Sequence, residues 1–372
     1  MKTALQLLVG GVIGFSFVYI AAFAGIEWSL DQIGIVILTM IVSFPIHILL
    51  HELGHVLFGY TQGMKLMNMS VGPLVIERYQ GRWHFHFSPA VLAYAGRAMM
   101  FFPEHLPKEQ MKKKLIVYLL GGAAINIGTG VLFILTGLFL FDHYLFVILG
   151  MMGIFIGFSN LIPEYNKAVS TDGFAIKQLR SENLDDSIMM TTYALLTESE
   201  ITNHSKDWSL ERIQDMSRIF ESNTEDPRTK VLIQQLSYYY LPEQPEEIIR
   251  LGKRYAFSER GKKPDLLQDI ANIYYIAACY FKGECSNDEE VRRVLDQIGK
   301  LDQITYQKKL AFTYILNGQN EMAVEELKHA LRLLERWNSL YMRGKEEKEH
   351  INALLLKISE REIRKQVVEN FQ

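Results

Sequence analysis

His51, Glu52 and His55 are the residues of this chain best placed to do chemistry. Histidines four apart on a helix lie on one face about one turn apart, so both can aim a ring nitrogen at the same Zn²⁺. Glu52, next to the first histidine, is left to act as a general base on water rather than as a ligand. The pattern therefore supports metal-assisted hydrolysis. A catalytic zinc of this kind takes three protein ligands and keeps one position open, so one more ligand must come from elsewhere in the chain. Asp172, in Thr171-Asp172-Gly173, is the candidate. It offers a hard oxygen, Gly173 lets the backbone come close, and Pro163 ends the preceding helix so that the chain can turn back. His47, one turn before His51, is expected to be hydrogen-bonded inside the helix bundle, because a fourth protein ligand would close the open position.

The elements that must position these residues are apolar. Uncharged or nearly uncharged stretches run over 4–26, 33–60, 115–141 and 144–163, each at or near the ~20 residues needed to cross a bilayer core. The first is too long for the core of a signal peptide and reads as an uncleaved span. The histidine pair thus lies inside the second span, and ionisable residues in a membrane helix are costly unless they serve a polar site. Between Thr61 and Lys114 there are eight Lys and Arg against three acids, 8 − 3 = +5, while the other short loops carry only acids or none. Basic loops stay in the cytoplasm, so both termini are expected there, with His51 and His55 in the cytoplasmic half of an inward-running span.

Three motifs in order, His51 to His55, Gly121-Gly122-Ala123-Ala124-Ile125-Asn126, and Asn160 to Gly173, resemble the site-2 protease family of intramembrane zinc metalloproteases. The resemblance covers about residues 33–176. It implies His51 and His55 as zinc ligands, Glu52 as the catalytic carboxylate, Asp172 as the ligand completing the site, and one Zn²⁺ per chain. Ala123 stands where the family has proline, and Asp172 follows Pro163 at a longer spacing than the family's. Asn126 and Asn160 could hydrogen-bond substrate backbone or a developing oxyanion, or tie membrane helices together. Trp83, Phe85 and Phe87 alternate with His84 and His86, a strand pattern that pairs with 74–79 across a turn at Gln80-Gly81. The family often carries such a hairpin beside the active site, where an edge could hold an unwound substrate as an added strand.

The expected architecture is an all-α polytopic membrane domain, 1–176, with about four transmembrane helices and a small β-hairpin, followed by an α-helical, possibly tetratricopeptide-like, soluble domain, 177–372. Gly318, Ala323, Leu327 and Ala330 carry the repeat spacing, and Ala277, Tyr280 and Gly283 echo it. The clusters at Tyr238–Tyr240 and Tyr274–Tyr275 read as inter-helix core. The two cysteines, Cys279 and Cys285, read as reduced cytosolic thiols. A net charge of −3 argues against nucleic acid as a partner. The expected partners are a membrane-protein or peptide substrate, the lipid bilayer, and a regulatory protein on the helical domain, in a bacterial cytoplasmic membrane. A membrane-anchored scaffold with a vestigial metal site and a processing peptidase for a secreted pheromone or bacteriocin are the competing readings.

Overall fold

The structure, a computed structural model, describes residues 29–370 apart from 80–81, 88–95, 142, 167–168, 182–183, 203, 223–229, 257–264, 284–287 and 337–343. The expected first span, 4–26, lies outside the described residues. The chain divides into two compact units, one of residues 1–102 and 106–181 and the other of 103–105 and 182–372.

In the first unit three helices pack together: α1 (Leu30–Thr61), α2 (Lys108–Phe139) and α3 (Tyr144–Leu161). Stretches of 30, 32 and 18 residues within them are long and apolar enough to cross a membrane. Their outward faces carry exposed Leu38, Ile41, Leu57, Leu132 and Phe158, which water would penalise and lipid tails accept. Helices in lipid gain little from burying apolar groups against one another and depend on close backbone contact. Here a Cβ at Gly54 or at Gly121 would run into the other's backbone. α2 starts seven residues before the apolar stretch read from sequence. Its lysine-bearing first turns continue the helix, Met111 and Leu115 bury their side chains, and the Lys114 ammonium donates to the Gln62 carbonyl at 2.9 Å.

Between α1 and α2 the chain folds into an antiparallel sheet of β1 (Lys65–Val71), β2 (Leu74–Tyr79), β3 (Arg82–Phe87) and β4 (Gly96–Phe101), ordered β3-β2-β1-β4. The expected hairpin is β2–β3, with Ile76 opposite Phe85 and Leu74 opposite Phe87. Sequence reading missed β1 and β4, so the hairpin belongs to a four-stranded sheet. Met67 to Ser70 are all buried, and a strand covered on both faces shows no apolar–polar alternation. β1 and β2 join through Gly72-Pro73, with Gly72 at φ +54°, a left-handed conformation that glycine adopts without strain.

After α3, the pair β5 (Tyr165–Asn166) and β6 (Val169–Ser170) leads into α4 (Asp172–Arg180). Thr171 caps α4: its hydroxyl accepts from the Phe174 amide at 3.3 Å and donates to the Ile162 carbonyl at 2.7 Å. The Glu164 amide donates to the same hydroxyl, and the Thr171 amide donates to the Glu164 carbonyl.

The second unit is helical: α5 (Leu184–Ile201), a 3₁₀ turn (Ser205–Asp207), α6 (Leu210–Ser222), α7 (Lys230–Tyr240), α8 (Pro245–Ala256), α9 (Leu266–Lys282), α10 (Asp288–Gln297), α11 (Gln303–Leu316), α12 (Asn320–Arg336) and α13 (Lys345–Asn370). α11 and α12 form the tight pair the repeat spacing described, with Gly318 at φ +74° between them and Ala323, Leu327 and Ala330 buried. α9 is buried from Gln268 to Phe281 and touches α7, α8, α10, α11 and α13. A helix surrounded in this way is the centre of a bundle, whereas in a solenoid each repeat meets only its neighbours. The tyrosine clusters supply core: Tyr238 and Tyr274 both donate their hydroxyls to Glu347. Glu347 pairs with Lys308 at 2.8 Å, both fully buried, and the Lys308 ammonium sits 4.1 Å from the Tyr274 ring centroid. Cys279 is buried, and Cys285 lies outside the described residues.

Candidate metal centre

His51 and His55 leave the same face of α1 and are buried with Glu52 between the helices. Asp172, 121 positions along the chain from His51, reaches them as the first residue of α4. His51 Nε2 lies 3.0 Å from Asp172 Oδ2 and 3.2 Å from His55 Nε2, and His55 Nε2 lies 3.4 Å from Asp172 Oδ2. Among the described residues this is the one group of three His, Cys, Asp or Glu side chains that could hold a metal ion.

The spacing of those three atoms tests whether zinc fits. Bonds of about 2.05 Å in a tetrahedral site put its ligand atoms about 3.3 Å apart, and the observed edges are 3.0, 3.2 and 3.4 Å. Proton positions agree. His55 Nδ1 donates to the Tyr118 carbonyl at 3.0 Å, which leaves Nε2 with its lone pair turned toward the Asp172 carboxylate. Two such electron-rich atoms repel unless a cation or proton lies between them. Holding the outer ring nitrogen by a carbonyl is also the usual way a metal-binding histidine is fixed in one tautomer.

His51 is held on its other side. Its Nδ1 is 3.4 Å from Asn126 Nδ2; for Nε2 to present a lone pair Nδ1 must carry the proton, and a hydrogen bond to Asn126 then requires the amide rotated so that its oxygen faces the ring. Asn160 places its amide 3.3 Å from His51 Nε2, on the side of the converging ligand atoms. Both asparagines therefore meet at His51, one behind the ring and one in front. Asn126 gets there without a proline at Ala123, since α2 runs unbroken through 121–130.

Asp172 is delivered by the capped turn. The residues that lengthen the Pro163-to-Asp172 spacing are spent on the β5–β6 excursion, whose neck is closed by the Thr171–Glu164 bonds. Gly173 presses on the end of α3, where any side chain would meet the Leu161 backbone. To bind a metal, Asp172 must act as its carboxylate anion.

Glu52 is not in the ligand group. Its carboxylate lies against Gly96 of β4, where a Cβ would overlap Oε1. His47 is also outside the group, with Nε2 donating to the Leu149 carbonyl of α3 at 2.8 Å. Sequence reading missed three supports: the Tyr118 carbonyl, the Thr171 cap and the bare backbone of Gly122. A Cβ at Gly122 would stand 2.6 Å from His51 Cε1 and 2.7 Å from His55 Nε2. Tyr118, Gly122 and Asn126 are spaced four apart on α2, one stripe facing the two histidines, and that spacing is legible in the sequence.

Comparison with known proteins agrees for the membrane half. The sequence model of peptidase family M50, the site-2 protease family, matches residues 39–144. The match takes in both histidines, Glu52 and Asn126, and ends before Asn160 and Asp172. No curated protein and no solved structure matches the chain.

Proposed function

With residues 39–144 a peptidase family M50 segment, we propose that this protein is a zinc-dependent intramembrane endopeptidase. Its substrates are membrane-spanning or signal-peptide-derived segments, cut near the cytoplasmic face of the cell membrane. The observation that carries this reading is the triangle of His51 Nε2, His55 Nε2 and Asp172 Oδ2 at tetrahedral edge spacing, with Glu52 one residue from His51 and outside the triangle.

His51, His55 and Asp172 would hold the ion. When bound, zinc polarises the scissile carbonyl and lowers the pKa of a coordinated water from about 15.7 to about 7. Glu52 takes the proton from the attacking water and returns it to the leaving amine. Asn160, in front of His51, donates its amide hydrogen bond to oxygen as negative charge develops there. Asn126 acts one step back, fixing the tautomer and tilt of His51. A peptide bond inside an intact helix is closed to this chemistry, so the substrate is received extended, where β4 brings Gly96 against Glu52. The positive loop following α1 supports a cytoplasmic position for the site.

The test compares purified wild type, Glu52→Gln and His51→Ala in lipid nanodiscs. Glu52→Gln should keep about one zinc per chain and lose cleavage of transmembrane peptides, while His51→Ala should lose the zinc. Equal cleavage by wild type and Glu52→Gln would end the catalytic assignment. A folded wild type that takes up no zinc would favour a scaffold.

A further inference from the structure

The pleat of the sheet puts Met69, Val71, Leu74, Ile76 and Gly96 on one face, because Val71 pairs with both Leu74 and Gly96, and Met69 pairs with Ile76. At the β4 end this face lies directly on α1, with Gly96 against Glu52 and Ile48. Farther along, α1 and the strands leave a pocket of about 340 Å³ between them. Pro45, Ile46 and Leu49 form its helical wall, and the four apolar strand residues form the other. Among the described residues no polar side chain lines it. Met69 is buried at its inner wall, and Leu74, 63% exposed, marks its open side.

The walls of the pocket adjoin the reactive centre. Val71 is the ladder partner of Gly96, the residue backing the Glu52 carboxylate, and Leu49 precedes Glu52 by less than one helical turn. A cavity of about 150 Å³ accepts a benzene ring, so this one has room for a phenylalanine or leucine side chain. Its walls offer nothing to hydrogen-bond, which penalises a charged or amide side chain entering it.

We propose that this pocket is the subsite for a substrate side chain beside the cleaved bond, and that it selects large apolar residues, with Ile46, Leu49, Met69 and Val71 setting the size limit. The assignment rests on the reading of the metal centre as a peptidase site. The occupant is a substrate side chain because the wall runs on to Glu52; an acyl chain of a bilayer lipid is the competing occupant.

The full zinc-loaded chain in nanodiscs is titrated with dipeptide hydroxamates, which anchor on zinc, bearing benzyl, isobutyl, methyl or carboxymethyl side chains. Affinity is read by displacement of a fluorescent hydroxamate. Benzyl and isobutyl probes should bind roughly 10- to 100-fold tighter than methyl, and carboxymethyl weakest. Val71→Phe fills the pocket from the sheet and Ile46→Trp narrows it from the lipid-facing side of α1, so either should abolish the benzyl preference and leave methyl binding nearly unchanged. Leu49→Ala, which widens the pocket, should keep the preference for benzyl. Probes that bind wild type regardless of side chain, or a benzyl preference that survives both filling variants, would overturn the subsite and indicate a lipid-held pocket. The metal-centre reading would still stand in that case, because hydroxamate binding lost in His51→Ala reports the zinc. Failure of every probe to bind zinc-loaded wild type would overturn both.

Discussion

Gly122→Ala should cost this protein its metal while leaving its helices intact. The added methyl carbon would stand 2.6 Å from His51 Cε1, 2.7 Å from His51 Nε2 and 2.7 Å from His55 Nε2. Ordinary contact distances are about 3.5–4.0 Å, so the rings must recede by about 0.8–1.4 Å, and metal–ligand distances tolerate only about 0.2 Å. Moving α2 away instead would break the 3.0 Å bond from His55 Nδ1 to the Tyr118 carbonyl and open the Gly54–Gly121 contact. Losing one group that orients a metal ligand costs about 10- to 100-fold in affinity. Here two ligands are displaced together, so the upper end is expected, about 2.7 kcal/mol. Alanine is the better helix former by about 1 kcal/mol, so circular dichroism should show undiminished helix. Gly128→Ala on the same helix, where a Cβ would meet nothing within 4 Å, is the matched control. Zinc retained against a graded chelator series, measured by mass spectrometry of the metal, should fall for Gly122→Ala and not for Gly128→Ala. Equal retention by Gly122→Ala and wild type would refute the reasoning.

Thr171→Ala removes the α4 cap and should lower stability by about 1 kcal/mol, with weaker zinc retention because Asp172 is no longer held at the neck; thermal unfolding and chelator titration read the two effects separately. Lys308→Met should destabilise the second unit by about 3–5 kcal/mol, since it leaves Glu347 buried without its partner; combining it with Glu347→Leu should recover part of that loss in denaturant titrations. His350 is fully buried, and burial, reinforced by the Lys308 charge, holds its pKa well below the ordinary value of 6.5. Its folded pKa lies below the unfolded one, so the unfolded state binds the extra proton: this stability is complete above about pH 6.5 and is lost as pH falls below it. Wild type should therefore lose stability between pH 7 and pH 5, and thermal unfolding of His350→Gln should show a shallower pH dependence than wild type.

The proposed ligands were legible because each belongs to a local pattern. His51, Glu52 and His55 sit within about one helical turn, and Asp172 stands in a Thr-Asp-Gly run just past the last apolar stretch, where Gly173 lets the backbone come close. Three of the four expected spans fall on described helices long and apolar enough to cross a membrane, although hydropathy marked apolar stretches and not helix ends, and so missed the lysine-bearing start of α2. The supports were harder to read. Tyr118 acts through its backbone carbonyl, which no residue type encodes, and Gly122 acts through a side chain it lacks. β1 was missed because a strand buried on both faces has no period of two to detect, and β4 because its half-buried Gly96 to Met99 show no alternation either. In the second unit the spacing around Gly318 correctly described one helix pair but could not show that α9 sits at the centre of a bundle, since that depends on which helices come to surround it.

The closed neck between Glu164 and Thr171 separates the length of the chain from the position of its ligand. Residues added beyond that neck lengthen an excursion whose ends are already joined, and loop closure makes added length inexpensive there. Asp172 keeps its place because Thr171 and Gly173, on either side of it, are anchored to the end of α3. The excursion between Glu164 and Thr171 is therefore a port: an epitope, a reporter or a further recognition element could be spliced into it without redesigning the centre, and the same decoupling offers evolution a place to add parts to a chain whose other proposed metal ligands lie within an apolar helix.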